Sequence, residues 1–215
     1  MNERFAFDIE QNVKYLIGCD EAGRGPAAGG VFASAVCFTS RSADLVDKLN
    51  KLNDSKKLSA KVRGELYDII LENTVNSIMC VEVEEIEKIN ILNASLKAMK
   101  LACEDVIKKL PKDGKILTLV DGNKLIKDYK EAQRYVIKGD SKSASIAAAS
   151  ILAKVTRDRY MTELDKKYPM YGWAKNAGYL TKEHLEAIDK YGLCEFHRPS
   201  FLKKHFEKQK QLNLF

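Results

Sequence analysis

The chain has 215 residues, 45% hydrophobic and 31% charged, with only 4 Pro and 12 Gly, which excludes disordered, collagen-like and low-complexity classes and suits one compact domain. Lys and Arg number 36 against 30 acids, a formal charge of +6 that is compatible with a polyanionic partner without specifying one. No apolar run approaches the roughly 20 residues needed to span a bilayer, Met1-Asn2-Glu3-Arg4 has no leader character, and the five scattered cysteines lack C-x-x-C spacing. The expectation is a cytoplasmic protein, monomeric and away from membranes.

Tyr15-Leu16-Ile17-Gly18-Cys19 and Val31 to Phe38 read as two buried strands joined by a Gly/Pro-rich loop, which puts Asp20 near a strand end. Val62, Leu66, Ile69 and Ile70 fall at helical spacing after a Ser59 cap. Asn76 to Val83 reads as a strand, and Asn93 as the cap of a helix carrying Leu96, Met99, Cys103, Val106 and Leu110 and ending at Pro111. Ile116 to Val120 is a strand leading into Asp121-Gly122-Asn123, and Arg134 to Ile137 a shorter one leading into Lys138-Gly139-Asp140. A long helix is predicted from Ser145 to about Tyr168, with small Ala residues at its start that permit close approach to the sheet, and Lys154 and Arg157 together on another face. Thr181 caps a helix to about Tyr191, and a Lys-rich tail follows Pro199. The mixed order of strands and helices argues for an α/β layer architecture.

Adjacent residues on a strand face opposite ways, so a paired Asp20-Glu21 needs a strand end to act together. Taken alone, such a pair is most simply a solvated strand end. Asp121 and Asp140 also follow apolar strands, each beside a glycine that lets backbone crowd a ligand. Four carboxylates without a clustered His or Cys suit a hard, oxygen-ligated ion such as Mg²⁺ or Mn²⁺. Two ions about 4 Å apart would activate water and stabilise the leaving oxygen of a phosphodiester. Gly23-Arg24-Gly25 adds backbone N–H groups and a guanidinium suited to phosphate, although a G-R-G triplet is equally a tight turn.

Taken in order, Asp20-Glu21-Ala22-Gly23-Arg24-Gly25-Pro26, Asn53 to Ser59 (NDSKKLS), Val120-Asp121-Gly122, Lys138-Gly139-Asp140 and Ile146 to Asp158 (IAAASILAKVTRD) resemble bacterial ribonuclease HII. The resemblance continues through Gly178-Tyr179, Thr181-Lys182-Glu183-His184, His197-Arg198 and Ser200-Phe201. It implies an RNase H-like fold: a mixed central sheet flanked by helices, here residues 1–200, with a small helical C-terminal extension in the basic tail 201–215. It also implies an endonuclease acting on ribonucleotide-containing duplex DNA and RNA–DNA hybrids, with Asp20, Glu21, Asp121 and Asp140 holding two Mg²⁺ or Mn²⁺ ions.

On the same resemblance Gly23, Arg24 and Gly25 sense the 2′-hydroxyl, the group that distinguishes RNA from DNA, and Tyr179 stacks on the deoxyribose that follows. Lys56, Lys154, Arg157 and Arg198 are the expected phosphate contacts, Lys154 and Arg157 being equally readable as a solvated helix face. His197 reads either as a substrate contact or as an ordinary hydrogen-bonded core histidine, the second being the preferred reading. Two departures stand out: Gly30 and Ala177 occupy positions where relatives commonly carry Pro and Lys, and the second puts one phosphate contact near Tyr179 in doubt. A non-catalytic nucleic-acid or clamp-binding module, or a same-fold nuclease indifferent to the 2′-hydroxyl, is the alternative. The terminal Gln211-Leu212-Asn213-Leu214-Phe215 resembles the peptide with which bacterial repair proteins dock on the sliding clamp, with Leu212, Leu214 and Phe215 as apolar anchors and Gln211 as a polar contact.

Overall fold

A computed structural model describes residues 3–212, with side chains to residue 209. Five strands form one mixed sheet in the order β3-β2-β1-β4-β5: β1 (Tyr15–Ala22), β2 (Val31–Cys37), β3 (Val75–Val81), β4 (Ile116–Asp121) and β5 (Gln133–Val136). β1 pairs antiparallel with β2 and parallel with β4, so the carboxyl ends of β1 and β4 open side by side.

The pleat of β1 explains the two layers. Tyr15, Ile17 and Cys19 face one way, into a cluster with Met99, Cys103 and Val106 of α5 (Ile91–Lys109). Leu16 faces the other way, against Ile146 of α6 (Ala144–Lys167). On that side, Ala147, Ala148, Ile151 and Leu152 of α6 share a core with α1 (Glu3–Ile9), α2 (Ala43–Lys48) and α3 (Ala60–Asn73). The small residues foreseen at the start of α6 do bring it onto the sheet. A Cβ on Gly18 would lie 2.3 Å from the Ile146 backbone nitrogen, so only glycine fits there.

The N-terminus of α6 is held by α1. Buried Asp8 accepts from Ser143 Oγ at 2.5 Å, and from Ser145 N–H and Oγ at 2.8 and 2.7 Å, a carboxylate at the positive end of the helix. Burial nevertheless pushes the Asp8 carboxyl above its usual range.

Several boundaries differ from the sequence reading. The strand expected to reach Val83 stops at Val81, and Val83 opens a separate helix, α4 (Val83–Ile89). Asn90, not Asn93, caps α5: it sits at φ 66° and its side chain accepts the Asn93 N–H at 3.1 Å. α6 starts at Ala144 with Ser143 as cap. Residue 200 lies in the first turn of α9 (Pro199–Leu212), whose Leu202 is fully buried in one cluster with Met161, Trp173 and Ile188. That third cluster also holds α7 (Trp173–Asn176) and α8 (Lys182–Tyr191), a cap over one end of α6.

Gly18→Ala is expected to cost at least about 2 kcal/mol, because the added methyl meets backbone that cannot move aside. The urea midpoint should fall at unchanged slope, and an unchanged midpoint would show that α6 does not rest on β1 at this point.

Candidate active site

The acidic residues gather where parallel β1 and β4 end, the edge at which α/β sheets bind ligands. Asp20 and Glu21 come from the end of β1, Asp121 from the end of β4, and Asp140 from a single 3-10 turn, Gly139–Ser141, that leads into α6. Asp121 Oδ1 accepts the Gly139 N–H at 2.7 Å, which ties the Asp140 turn to the sheet. All four line one cleft. Strand alternation would send Asp20 and Glu21 to opposite faces, but the cleft lies off the end of β1, where the chain turns at Gly23, and both reach it.

Burial, then the charges of Glu21, Asp121 and Asp140, push the Asp20 carboxyl well above the usual range. Burial also raises Glu21, although Arg24 Nη1 donates to its carboxylate at 3.2 Å. Asp140 is raised by burial and then by Asp121 and Asp54. Among the described residues no three His, Cys, Asp or Glu side chains converge tightly enough to hold an ion unaided. The donor set is all oxygen and the cleft measures ≈ 260 Å³, room for about eight waters. This fits hard divalent ions, which keep several waters and take one or two carboxylates, with substrate phosphate completing the shell.

The cationic residues divide. Lys56 lines the cleft from a 3-10 turn, Ser55–Lys57, capped by Asp54 at 2.9 Å. Arg63, which the sequence reading missed, holds that turn by donating to the carbonyls of Ser55 and Leu58 at 2.9 and 2.6 Å. Lys154 also lines the cleft but pairs with Asp158 at 2.7 Å, as i,i+4 spacing allows.

Arg157 and Arg198, the other two cations expected at phosphate, are 1% and 0% exposed; Arg157 still borders the cleft, and both guanidiniums bond backbone carbonyls. Arg157 donates to the carbonyls of Gly30, Ala177 and Ala28 at 3.3, 3.1 and 3.0 Å. Arg198 donates to Gly29 at 2.8 and 2.6 Å, and to Gly23 and Pro26 at 2.8 Å each. Both guanidiniums hold the backbone of residues 23–30, and Arg157 ties it to Ala177 as well. Gly23 is obligatory in this arrangement: it sits at φ +103° and a Cβ would stand 2.3 Å from Arg157 Nε.

Tyr179 closes the cleft opposite, 51% exposed, with its ring against Gly25. His197 is the buried histidine the sequence suggested, 2% exposed. It lies beside fully buried His184, Nε2 to Nε2 at 3.2 Å. Of the terminal peptide, Gln211 and Leu212 belong to the last turn of α9, while Leu214 and Phe215 lie outside the described residues.

Burial pushes both imidazoles down, and with the neighbouring His184 it brings His197 to about 4. A folded-state pKa below the unfolded value near 6.5 means that the stability of the neutral pair is complete above about pH 6.5 and lost as pH falls toward 4. The stability advantage of the wild type over His197→Gln should therefore shrink by about 3 kcal/mol between pH 7 and pH 4. Parallel stability curves for the two proteins would refute a neutral pair.

Residues 17–209 match the family model for ribonuclease HII. Ribonuclease HII of Fusobacterium nucleatum is 47% identical over 211 residues, covering 98% of this chain and 95% of its own. Among solved structures, ribonuclease H2 from Pyrococcus horikoshii superposes with a TM-score of 0.67 at 24% identity, covering 90% of this chain and 98% of that one, which establishes the fold. The RNase HII solved as a PCNA complex from Archaeoglobus fulgidus gives 0.66 at 25%, covering 86% and 93%. A match that runs through every element bordering the acidic cleft, at nearly half identity end to end, places the chain in the ribonuclease HII family of hydrolytic endonucleases.

Proposed function

We propose that the chain hydrolyses the phosphodiester on the 5′ side of a ribonucleotide embedded in duplex DNA, and cuts the RNA strand of RNA–DNA hybrids, leaving a 3′-hydroxyl and a 5′-phosphate. One observation carries this reading: the four-carboxylate cleft and the Gly23-Arg24-Gly25 loop share one wall. A scissile phosphate over the acids therefore puts the adjoining sugar beside exposed loop backbone. Loop backbone held by buried Arg198 at Gly23 and Pro26, and by Arg157 at Ala28 and Gly30, is suited to bond a 2′-hydroxyl, and a site built for that bond rejects deoxyribose strongly.

Asp20, Glu21, Asp121 and Asp140 would hold Mg²⁺ or Mn²⁺, which would supply water activation and charge neutralisation at the departing 3′-oxygen. Lys56 faces the cleft to receive a backbone phosphate. Arg24, half exposed and bonded to Glu21, is placed to exchange that carboxylate for substrate. Tyr179 offers its exposed ring to the sugar that follows. A same-fold nuclease indifferent to the 2′-hydroxyl would have no use for so constrained a loop.

We further infer that Gln211 to Phe215 dock on a sliding clamp. The Archaeoglobus fulgidus relative solved as a PCNA complex supports this reading.

On a labelled DNA duplex with one ribonucleotide, the wild type with Mg²⁺ or Mn²⁺ should make a single cut 5′ of the ribonucleotide and leave an all-DNA duplex whole. Chelator should abolish the cut. Asp20→Asn or Asp140→Asn should lower kcat by about 10³-fold or more while duplex affinity changes little, and retained turnover in either would remove that residue from the ligand set. Without metal, Asp20→Asn should also melt higher than wild type at pH 7, because it deletes a buried charge that three neighbouring acids repel. Deleting residues 211–215 should abolish clamp binding without changing cleavage of a short duplex, and an unchanged clamp affinity would sink the docking role.

A further inference from the structure

We propose that His184 and His197 form a positioning relay that sets the height of Tyr179 over the Gly23-Arg24-Gly25 loop, and through it the preference for a deoxyribose after the ribonucleotide. The inference rests on the reading of Tyr179 as the contact to that sugar. Its basis is a chain of hydrogen bonds in which two obligate donors, the Trp173 indole N–H and the Cys194 backbone N–H, fix the tautomers of both neutral rings.

The Trp173 indole N–H can only donate, and it lies 3.1 Å from His184 Nε2, so that nitrogen accepts. The proton of neutral His184 is therefore on Nδ1, 2.9 Å from the Tyr179 carbonyl, to which it donates. The Cys194 backbone N–H donates to His197 Nδ1 at 3.0 Å, which leaves the proton of His197 on Nε2, 3.2 Å from His184 Nε2, where it shares that nitrogen's one lone pair with the Trp173 N–H. The relay runs from Cys194 through both rings to Tyr179.

One end bears on Tyr179, which lines the cleft, and the other on the buried base of the loop of residues 23–30. The Tyr179 carbonyl also accepts the Thr181 N–H at 2.8 Å, so its peptide plane is fixed by two donors. The Tyr179 ring rests on the loop, with Cε1 3.2 Å from where a Cβ of Gly25 would stand. His197 forms an isolated bridge with Ala28, and the next residue, Arg198, donates to Gly23 and Pro26. A side chain half in solvent is thus aimed by groups wholly out of it. The histidines are not themselves catalytic residues, because buried rings cannot touch substrate.

The same rings also pack: Tyr171 stacks on Trp173 at 5.0 Å and meets His197 edge-on at 4.6 Å. The test has to separate aiming from packing. An Asn amide nitrogen reproduces the position of imidazole Nδ1, and a Gln amide that of Nε2. His184→Asn keeps the donor to Tyr179, whereas His184→Gln keeps the acceptor for Trp173 and discards that donor. The readout is the ratio of kcat/KM on a duplex with one ribonucleotide to kcat/KM on a hybrid with an all-RNA strand.

We expect His184→Gln to lower this ratio about 5- to 10-fold and His184→Asn less than about 2-fold, although both lower the melting temperature. In a Tyr179→Ala background His184→Gln should leave the ratio where Tyr179→Ala has put it. Equal effects of the two substitutions, no effect of either, or an effect that persists without Tyr179 would overturn the relay. A Tyr179→Ala ratio equal to wild type would instead overturn the reading of Tyr179, and the relay with it. Should His184→Gln fail to fold, ¹⁵N NMR of the unaltered protein decides: protons on His184 Nδ1 and His197 Nε2, with the His184 signal shifting on addition of a ribonucleotide-containing duplex in Ca²⁺, support the relay, and the opposite tautomers or an unmoved signal refute it.

Discussion

Like-charge repulsion among Asp20, Glu21, Asp121 and Asp140 is the constraint around which this molecule is arranged. Burial and mutual repulsion raise the carboxyl of Asp20 well above its usual range, so the cluster opposes folding at neutral pH. The fold overrides it with features remote from the acids: a helix laid directly on Gly18, a carboxylate at that helix's N-terminus, and two hydrophobic layers either side of β1. The four acids come from three backbone contexts, two from one strand end, one from its parallel neighbour and one from a tight turn. None can retreat without breaking the element that carries it.

The geometry of β1 makes this economical. Its parallel pairing with β4 opens two strand ends in the same direction, and its antiparallel pairing with β2 sends the chain back through the loop of residues 23–30. Chemistry and recognition therefore leave the sheet at one point. The Asp121 carboxylate does both jobs, facing the cleft with one part of its charge and bonding the Gly139 N–H that places Asp140.

Much of this was legible in the residues. Apolar runs ending in Asp marked the strands, Ser59 and Thr181 marked their helices as caps, and motif order pointed to the four acids and the glycine loop. What stayed illegible depends on partners distant in sequence. Nothing near Asp8 in the sequence marks it for burial, and its partners Ser143 and Ser145 reach it only through the fold. Arg157 has the sequence context of a surface helix charge, and only the fold turns it inward to the carbonyls of residues 28, 30 and 177. The short helix α4 was hidden because Val81 and Val83 continue a strand-like alternation across its start. The i,i+2 spacing of two valines does not reveal where hydrogen bonding changes partner.

The recognition loop shows why such inward arginines are useful. Among the described residues neither Arg157 nor Arg198 pairs with a carboxylate; together they take up six backbone carbonyls. Burial and the nearness of Arg157 bring Arg198 down to about 10, which still leaves it charged at neutral pH. A planar guanidinium can reach carbonyls of several turns at once, and lysine, a single point charge on a flexible stem, cannot. The loop is consequently rigid in shape and underlain by two positive charges, beside a cleft that is negative. Positive and negative potential are thus set side by side, because the arginines are buried beneath the loop while the four acids line the cleft it borders.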